Sequence, residues 1–280
     1  MNVTFIGVGA IGLPMALQIK QAGHAVTGVE VVESNRARAA ESGVEAVAAF
    51  ADAPKAQAVV VMVATPQQLA AVVDNARDVA GQTWVVMSTV GPASVREQGE
   101  RLRAAGAHVV DAPVTGGVAR AKTGTLVIFA SGNQAEIDAV RPVLDAMGSV
   151  RVTGPQLGDG QAIKVVNQHL CSVHIVAAAE ALSLARSLGL DQAAVLELVE
   201  NGAGGSWMLS DRGPRMLAGT DVEVTSSINI FVKDSDLVAA AAQECGADVP
   251  LLSIANAKYR QAAESGLGQR DDSRVIETWK

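Results

Sequence analysis

The 280-residue sequence has few cysteines and no excess of positive charge, and each shortage removes a class of protein. Cys171 and Cys245 are too few and too far apart for a disulfide framework or a cysteine-rich zinc site, so both read as free thiols. Lys and Arg number 22 against 29 Asp and Glu, a net charge of −7 with no basic stripe, which argues against a nucleic-acid partner. An acidic excess does not bar an anionic substrate, since local lysines and backbone N–H groups decide that. Alanine-rich stretches such as residues 175–182 are apolar but interrupted by charge, here Glu180, and no membrane span or membrane partner is expected. The chain enters a strand pattern at once, with neither a basic region nor a cleavage site, so a cytoplasmic location is expected. His24, His108, His169 and His174 lack the i, i+4 spacing of helical metal pairs, and no metal is expected.

An apolar content of 49% is enough for a large core in one or two domains. Through about residue 150 short β-rich runs alternate with helical stretches: Val3 to Ile6, Ala25 to Val29, Ala58 to Val63, Thr83 to Met87, Ala107 to Asp111 and Leu126 to Phe129. Apolar strands without polar alternation predict a mostly parallel sheet covered on both faces. From Gly160 to Leu188 there is neither proline nor internal glycine, which predicts one long helix ended by Gly189. Helical patterns follow at Gln192 to Glu200, around Ile228 to Cys245 and at Leu251 to Ser265. The predicted fold class is α/β: an N-terminal doubly wound Rossmann domain, residues 1–157, followed by an all-helical domain for substrate and oligomerisation, residues 158–280. The loop Val150 to Gly160 is the expected hinge, and the crevice between domains is the default ligand site.

The strand Val3 to Ile6 runs into Gly7-Val8-Gly9-Ala10-Ile11-Gly12 and then a helical pattern. Glycines let a dinucleotide pyrophosphate approach the backbone, and the helix N-terminus offers it free N–H groups. Glu30 follows a second strand about twenty residues past Gly12, where an acid binds a ribose. On the long helix Lys164, Asn167, Gln168 and Cys171 fall at i, i+3, i+4 and i+7, a polar stripe on an otherwise apolar element. A desolvated lysine there can exchange a proton with a substrate hydroxyl or carbonyl oxygen. Asp111-Ala112-Pro113-Val114-Thr115-Gly116-Gly117 ends a strand, and two readings fit it: a backbone nest for a carboxylate, or a tight turn. Met87-Ser88-Thr89 also lies past a strand's carboxyl end. Trp207 follows Gly202-Ala203-Gly204-Gly205 and fits either a cap on the substrate or a loop anchor.

These motifs, in this order, resemble the β-hydroxyacid dehydrogenases over essentially the whole chain. The resemblance rests on the glycine loop with Leu13-Pro14-Met15, on Asp111 to Gly117 with Gly124-Thr125-Leu126, on Gly160 with Lys164 and Asn167, and on Lys233-Asp234. It implies that Lys164 is the catalytic acid/base. It implies that Thr115, Gly116, Gly117, Asn167 and Gln168 hold substrate, and that the glycine loop, Glu30, Val63, Ala64, Thr89 and Lys233 hold the cofactor. Thr115 stands where the family usually has serine, and Gln168 where it usually has a second asparagine. The helical half looks closest to the L-threonate dehydrogenase branch, which acts on four-carbon sugar acids. An imine reductase would lack lysine at 164, and a 6-phosphogluconate dehydrogenase would need a longer helical half; a redox-inactive nucleotide-binding module stays open.

Glu30 would accept hydrogen bonds from the ribose hydroxyls and repel a 2′-phosphate, which favours NAD, although Arg36 and Arg38 lie close by. The expected reaction is hydride transfer between a small hydroxy acid and NAD. The apolar face of the long helix and the alanine-rich stretch Val238 to Ala242 exceed what one small domain buries, so a homodimer or homotetramer is expected.

Overall fold

The computed structural model describes residues 1–219 and 221–279, and by internal contacts the chain divides into two compact units, Met1–Lys164 and Val165–Lys280. The first unit holds one nine-stranded sheet. Its strands are β1 (Asn2–Ile6), β2 (Ala25–Val29), β3 (Ala46–Val47), β4 (Ala58–Val61), β5 (Thr83–Val86), β6 (His108–Asp111), β7 (Val114–Thr115), β8 (Leu126–Ser131) and β9 (Gly148–Gly154). They lie in the order β3-β2-β1-β4-β5-β6-β8-β7, with β9 alongside β8. From β3 to β6 every pairing is parallel; β8 is antiparallel to β6 and β7 and parallel to β9. The order of the first six strands is that of a doubly wound dinucleotide-binding sheet, whose reversal beside β1 opens a crevice at the carboxyl ends of β1 and β4.

The unbroken apolar strands follow from burial on both faces. Ala58, Val60, Val85 and Met87 join Phe5 and Met15 in one core, while Val59, Val61, Trp84 and Val86 join Leu69 and Leu102 in the other. Each such valine contributes about 1.5–3 kcal/mol relative to exposure. The covering helices are α1 (Gly12–Gln21), α2 (Glu33–Glu41), α3 (Pro66–Asn75), α4 (Pro92–Ala104), α5 (Gly117–Lys122) and α6 (Gln134–Asp145). Thr65 and Gln68 form a reciprocal capping box at the start of α3.

Helix α7 (Asp159–Ser187) carries the chain out of the sheet unit, and Gly189 past its end has φ 74°. It is followed by α8 (Gln192–Val199), α9 (Trp207–Leu217), α10 (Ile228–Cys245), α11 (Pro250–Ala262), a π turn over Ala263–Leu267 and a 3-10 segment, Asp272–Thr278. The core of this helical unit gathers Ile175, Ala179, Leu182, Leu209, Phe231 and Tyr259, and the Phe231 and Tyr259 rings stack at 5.2 Å. By length and composition α7 could cross a membrane, but Ile175, Val176, Ala179 and Leu182 place it as a core helix.

Two features differ from expectation, the hinge loop and helix α9. The hinge loop expected over Val150 to Gly160 is mostly ordered: β9 takes it to Gly154 and α7 begins at Asp159, because Val150 to Thr153 extend the sheet along β8. The division between compact units falls inside α7, after Lys164, since the first turn of that helix is bonded to strand ends. Helix α9 goes beyond the expected helices; Gly213 and Pro214 obscure it, yet a Cβ at Gly213 would come 2.7 Å from Leu196, so glycine lets α9 approach α8.

Candidate active site

The glycine loop divides its labour between packing and access. Gly7 has φ 92° and donates its N–H to the Val29 carbonyl at 2.8 Å; a Cβ there would overlap the Met62 carbonyl. A Cβ on Gly12 would overlap the Gly7 carbonyl and touch Phe5, so this glycine seats α1 on β1. Gly9 faces open space, with nothing within 4 Å of an added Cβ. Val8 is buried, Ala10 exposed, and Ile11 begins α1 without a side-chain cap among the described residues. The first-turn N–H groups of α1 thus sit where an anion would find them.

Beyond β2, Glu30 is nearly buried and its Oε1 accepts the Val32 N–H at 3.0 Å. Arg36 donates to the Glu30 and Val31 carbonyls at 2.7 and 2.9 Å, and Arg38 to Asn35 Oδ1 at 3.0 Å. Both guanidinium groups are engaged within this segment. After β4, Val63 donates its N–H to Ser88 Oγ at 2.7 Å and Ala64 donates to Gln68 Oε1 at 2.7 Å. Thr89 follows Ser88 at the end of β5.

Thr115 closes β7, paired with Val127. Gly116 and Gly117 have φ 128° and 64°, which favour glycine, and Gly117 faces open space. Lys164 lies in the second turn of α7 and is 7% exposed. Three residues before it, Gln161 is fully buried in a network that sequence reasoning missed. Asp111 Oδ2 accepts N–H bonds from Gly158 at 3.1 Å and Gln161 at 3.0 Å and the Ser131 hydroxyl at 3.0 Å; Ser131 Oγ accepts the Gly160 N–H at 2.9 Å. Burial pushes the Asp111 carboxyl up to about 6 in spite of these donors. Gln161 continues the 164–167–171 stripe one turn backward, and extending the stripe would have found it.

Within the helical unit, Asn167 Nδ2 donates to Gln168 Oε1 at 2.9 Å, with Cys171 Sγ 3.4 Å away. Gln168 is buried and donates to Asp234 Oδ2 at 2.6 Å, while Lys233 Nζ lies 2.6 Å from Asp234 Oδ1. Trp207 begins α9 half-exposed, with the Arg212 guanidinium 5.8 Å from its ring centre. Arg212 is itself fixed by Asp272 at 2.8 Å.

A family model described as the NAD binding domain of 6-phosphogluconate dehydrogenase matches residues 2–158. A second, described as the NAD-binding of NADP-dependent 3-hydroxyisobutyrate dehydrogenase, matches residues 158–279. The chain belongs to the β-hydroxyacid dehydrogenase family. An L-threonate dehydrogenase of Escherichia coli is 34% identical over 98% of this chain and 93% of its own. An NAD-dependent L-serine dehydrogenase of Pseudomonas aeruginosa is 30% identical over 98% of this chain and 96% of its own. The crystal structure of a 3-hydroxyisobutyrate dehydrogenase from Salmonella typhimurium matches with a TM-score of 0.91 at 32% identity, covering 99% of both chains.

This β-hydroxyacid dehydrogenase is therefore a nicotinamide-dependent enzyme acting on a small hydroxy acid. Its residues fit the cofactor: the space over Gly9 and the uncapped start of α1 suit a pyrophosphate, and the nearly buried Glu30 suits a ribose.

Proposed function

We propose that the protein oxidises a four-carbon sugar acid such as L-threonate with NAD, using Lys164 as acid/base. The observation that carries this is Lys164 itself, a nearly buried lysine on the helix that starts at the carboxyl ends of β5 and β6, in the unit that holds the glycine loop. When bound, the oxidised nicotinamide supplies the hydride acceptor. Lys164, as the neutral amine, takes the hydroxyl proton during oxidation and returns it during reduction. The N–H groups around Thr115, Gly116 and Gly117 hold the substrate carboxylate. Asn167, one turn past Lys164, holds a substrate hydroxyl, and Gln168 keeps the Asn167 amide oriented through their mutual bond. Trp207 flanks the substrate, and Lys233 keeps the cofactor role that the family resemblance implies.

Glu30 and the engagement of Arg36 on main-chain carbonyls favour NAD over NADP. The four-carbon acid is favoured by the L-threonate dehydrogenase relative; L-serine or a 3-hydroxyisobutyrate-like acid is the second reading, favoured by the other two relatives. The test follows reduced nicotinamide by absorbance with NAD or NADP and L-threonate, D-erythronate, 3-hydroxyisobutyrate, L-serine and glycerate. Highest turnover with L-threonate and NAD, abolished in Lys164→Ala, is expected; higher turnover with L-serine overturns the substrate assignment.

We also propose a homodimer or homotetramer. Leu170, Ala177 and Leu184 repeat at seven-residue spacing on the exposed side of α7, flanked by Val166 and Leu188, an apolar stripe suited to a second copy. Light scattering should give a multiple of 28.7 kDa and a smaller particle for Leu184→Glu; a wild-type monomer rejects it.

A further inference from the structure

The side-chain amide of Gln161 has every hydrogen-bonding position filled. Its Nε2 donates to the Ser88 carbonyl at 2.9 Å and to Asp111 Oδ1 at 3.0 Å, and its Oε1 accepts the N–H groups of Val90 and Gly91, each at 3.0 Å. A primary amide offers two donors and one oxygen with two lone pairs, so a flipped amide would face N–H against N–H on one side and oxygen against oxygen on the other. The group has one orientation. Asp111 and Ser131 already satisfy the N–H groups at the start of α7. Gln161 adds a link from the helix to the segment Ser88–Gly91, and this second direction of attachment sets the rotation of the helix about its axis. Gly160 seats the same turn closely, because a Cβ there would overlap the Phe129 carbonyl and lie 3.0 Å from Asp111 Oδ2.

We propose that Gln161 is a positioning residue for Lys164: it fixes the rotational setting of the first turns of α7 against the ends of β5 and β6, and so the point from which Lys164 exchanges its proton. The two residues are three apart on one helix and share a face. The proposal rests on the assignment of Lys164 as acid/base made above and names what holds that lysine. A displacement of about 1 Å at a reacting group costs on the order of 100-fold in rate.

The experiment compares Gln161→Ala, Gln161→Glu and Lys164→Ala in the full chain, with NAD and the acid turned over fastest in the panel. Gln161→Ala should lower kcat by about 10- to 100-fold, with KM and NADH affinity by fluorescence within about threefold of wild type. Hydrogen exchange should quicken over residues 159–164 and stay slow over 175–187. In Gln161→Glu, one new oxygen still accepts from Val90 and Gly91, but the other opposes Asp111 and the Ser88 carbonyl until a proton is shared between the carboxyls. Its kcat, taken as a ratio to wild type at the same pH, should therefore recover on acidification, a limb that the ratio for Gln161→Ala lacks, because the pH dependence of Lys164 itself is common to both and cancels. Other charged groups near this turn are committed elsewhere: Asp159 accepts the Gln156 N–H, and Arg96 donates to the Leu157 carbonyl.

A wild-type kcat in Gln161→Ala overturns the positioning role, as does a parallel rise in KM and NADH dissociation constant, or unchanged exchange over 159–164. If Gln161→Ala does not fold, the acid-dependent limb of Gln161→Glu decides, and its absence rejects the role. Wild-type kcat in Lys164→Ala overturns the acid/base assignment and this proposal together, whereas a dead Lys164→Ala beside a fully active Gln161→Ala overturns only the proposal.

Discussion

In the sheet unit Asp111 is buried among neutral donors, whereas in the helical unit Asp271 and Asp272 are buried beside arginines. Asp111 receives main-chain N–H groups from the start of α7, groups that move only if the helix moves. Asp272 receives Arg212 Nε and Nη2, and Asp271 receives Arg215 Nη1 together with the Thr225 N–H. Burial would lower the Arg212 guanidinium, but Asp272 and then Asp211 raise it above its ordinary value. Neutral donors give Asp111 a direction, and so place a helix; the arginines give the helical unit a cross-link between α9 and its last turns. One arrangement serves placement and the other cohesion.

The largest expected effect breaks the arginine side. Asp272→Asn leaves Arg212 buried with half its partner charge gone and should cost about 3–5 kcal/mol in denaturant unfolding; a cost below about 1 kcal/mol would mean that water replaces Asp272. Next comes pH. Burial raises the Asp111 carboxyl from 3.8 to about 6, so the folded protein holds this proton more tightly than the unfolded chain. Its contribution to stability is full below 3.8 and is lost as pH rises through about 6, a change of about 3 kcal/mol. For Asp271, burial is outweighed by hydrogen bonds from Ser273 and Thr225 and by Arg215, and its carboxyl lies below 3.8. Its contribution is present above 3.8 and lost as pH falls. The stability difference between wild type and Asp111→Asn should therefore shrink with rising pH over that range, and the corresponding difference for Asp271→Asn should shrink with falling pH. A flat difference for either carboxylate removes its half of the contrast.

The smallest effect sharpens the sheet side alone. Gly9→Ala should leave the melting temperature nearly unchanged and weaken NADH binding about tenfold, because the added methyl enters the cofactor's approach. Gly12→Ala should instead destabilise by about 1–3 kcal/mol by overpacking α1 against β1. Equal melting temperatures for the two variants would show that the loop relaxes around either methyl.

The parallel sheet was legible because β1, β4 and β5 are apolar on both faces, and the glycine loop because its spacing sits between a strand and a helix. The two-residue strands β3 and β7 were not, since so short a run carries no periodicity. Strand β9 alternates Val150, Arg151, Val152 and Thr153 at the edge of the sheet, and reads as loop beside the buried strands. Helix α9 was hidden by Gly213-Pro214, a pair that signals a break until the packing on Leu196 is known. Of the candidate site, Lys164 and Asn167 stood out as polar residues on an apolar helix. Gln161 lies one turn before them on the same stripe, so its place was legible by extending the stripe, but its role was not, because that depends on partners at distant strand ends that no local pattern records.

Helix α7 also has an evolutionary consequence. Its first turn is tied to the strand ends through Gly158, Gly160 and Gln161, while Asn167, Gln168 and Cys171 sit on later turns whose bonds run to one another and to α10. On the roles proposed above for Lys164 and Asn167, mutations from residue 167 onward would explore new hydroxy acids while the lysine at 164 stays where the sheet has put it, and substrate preference would drift within such a lineage faster than the chemistry it shares.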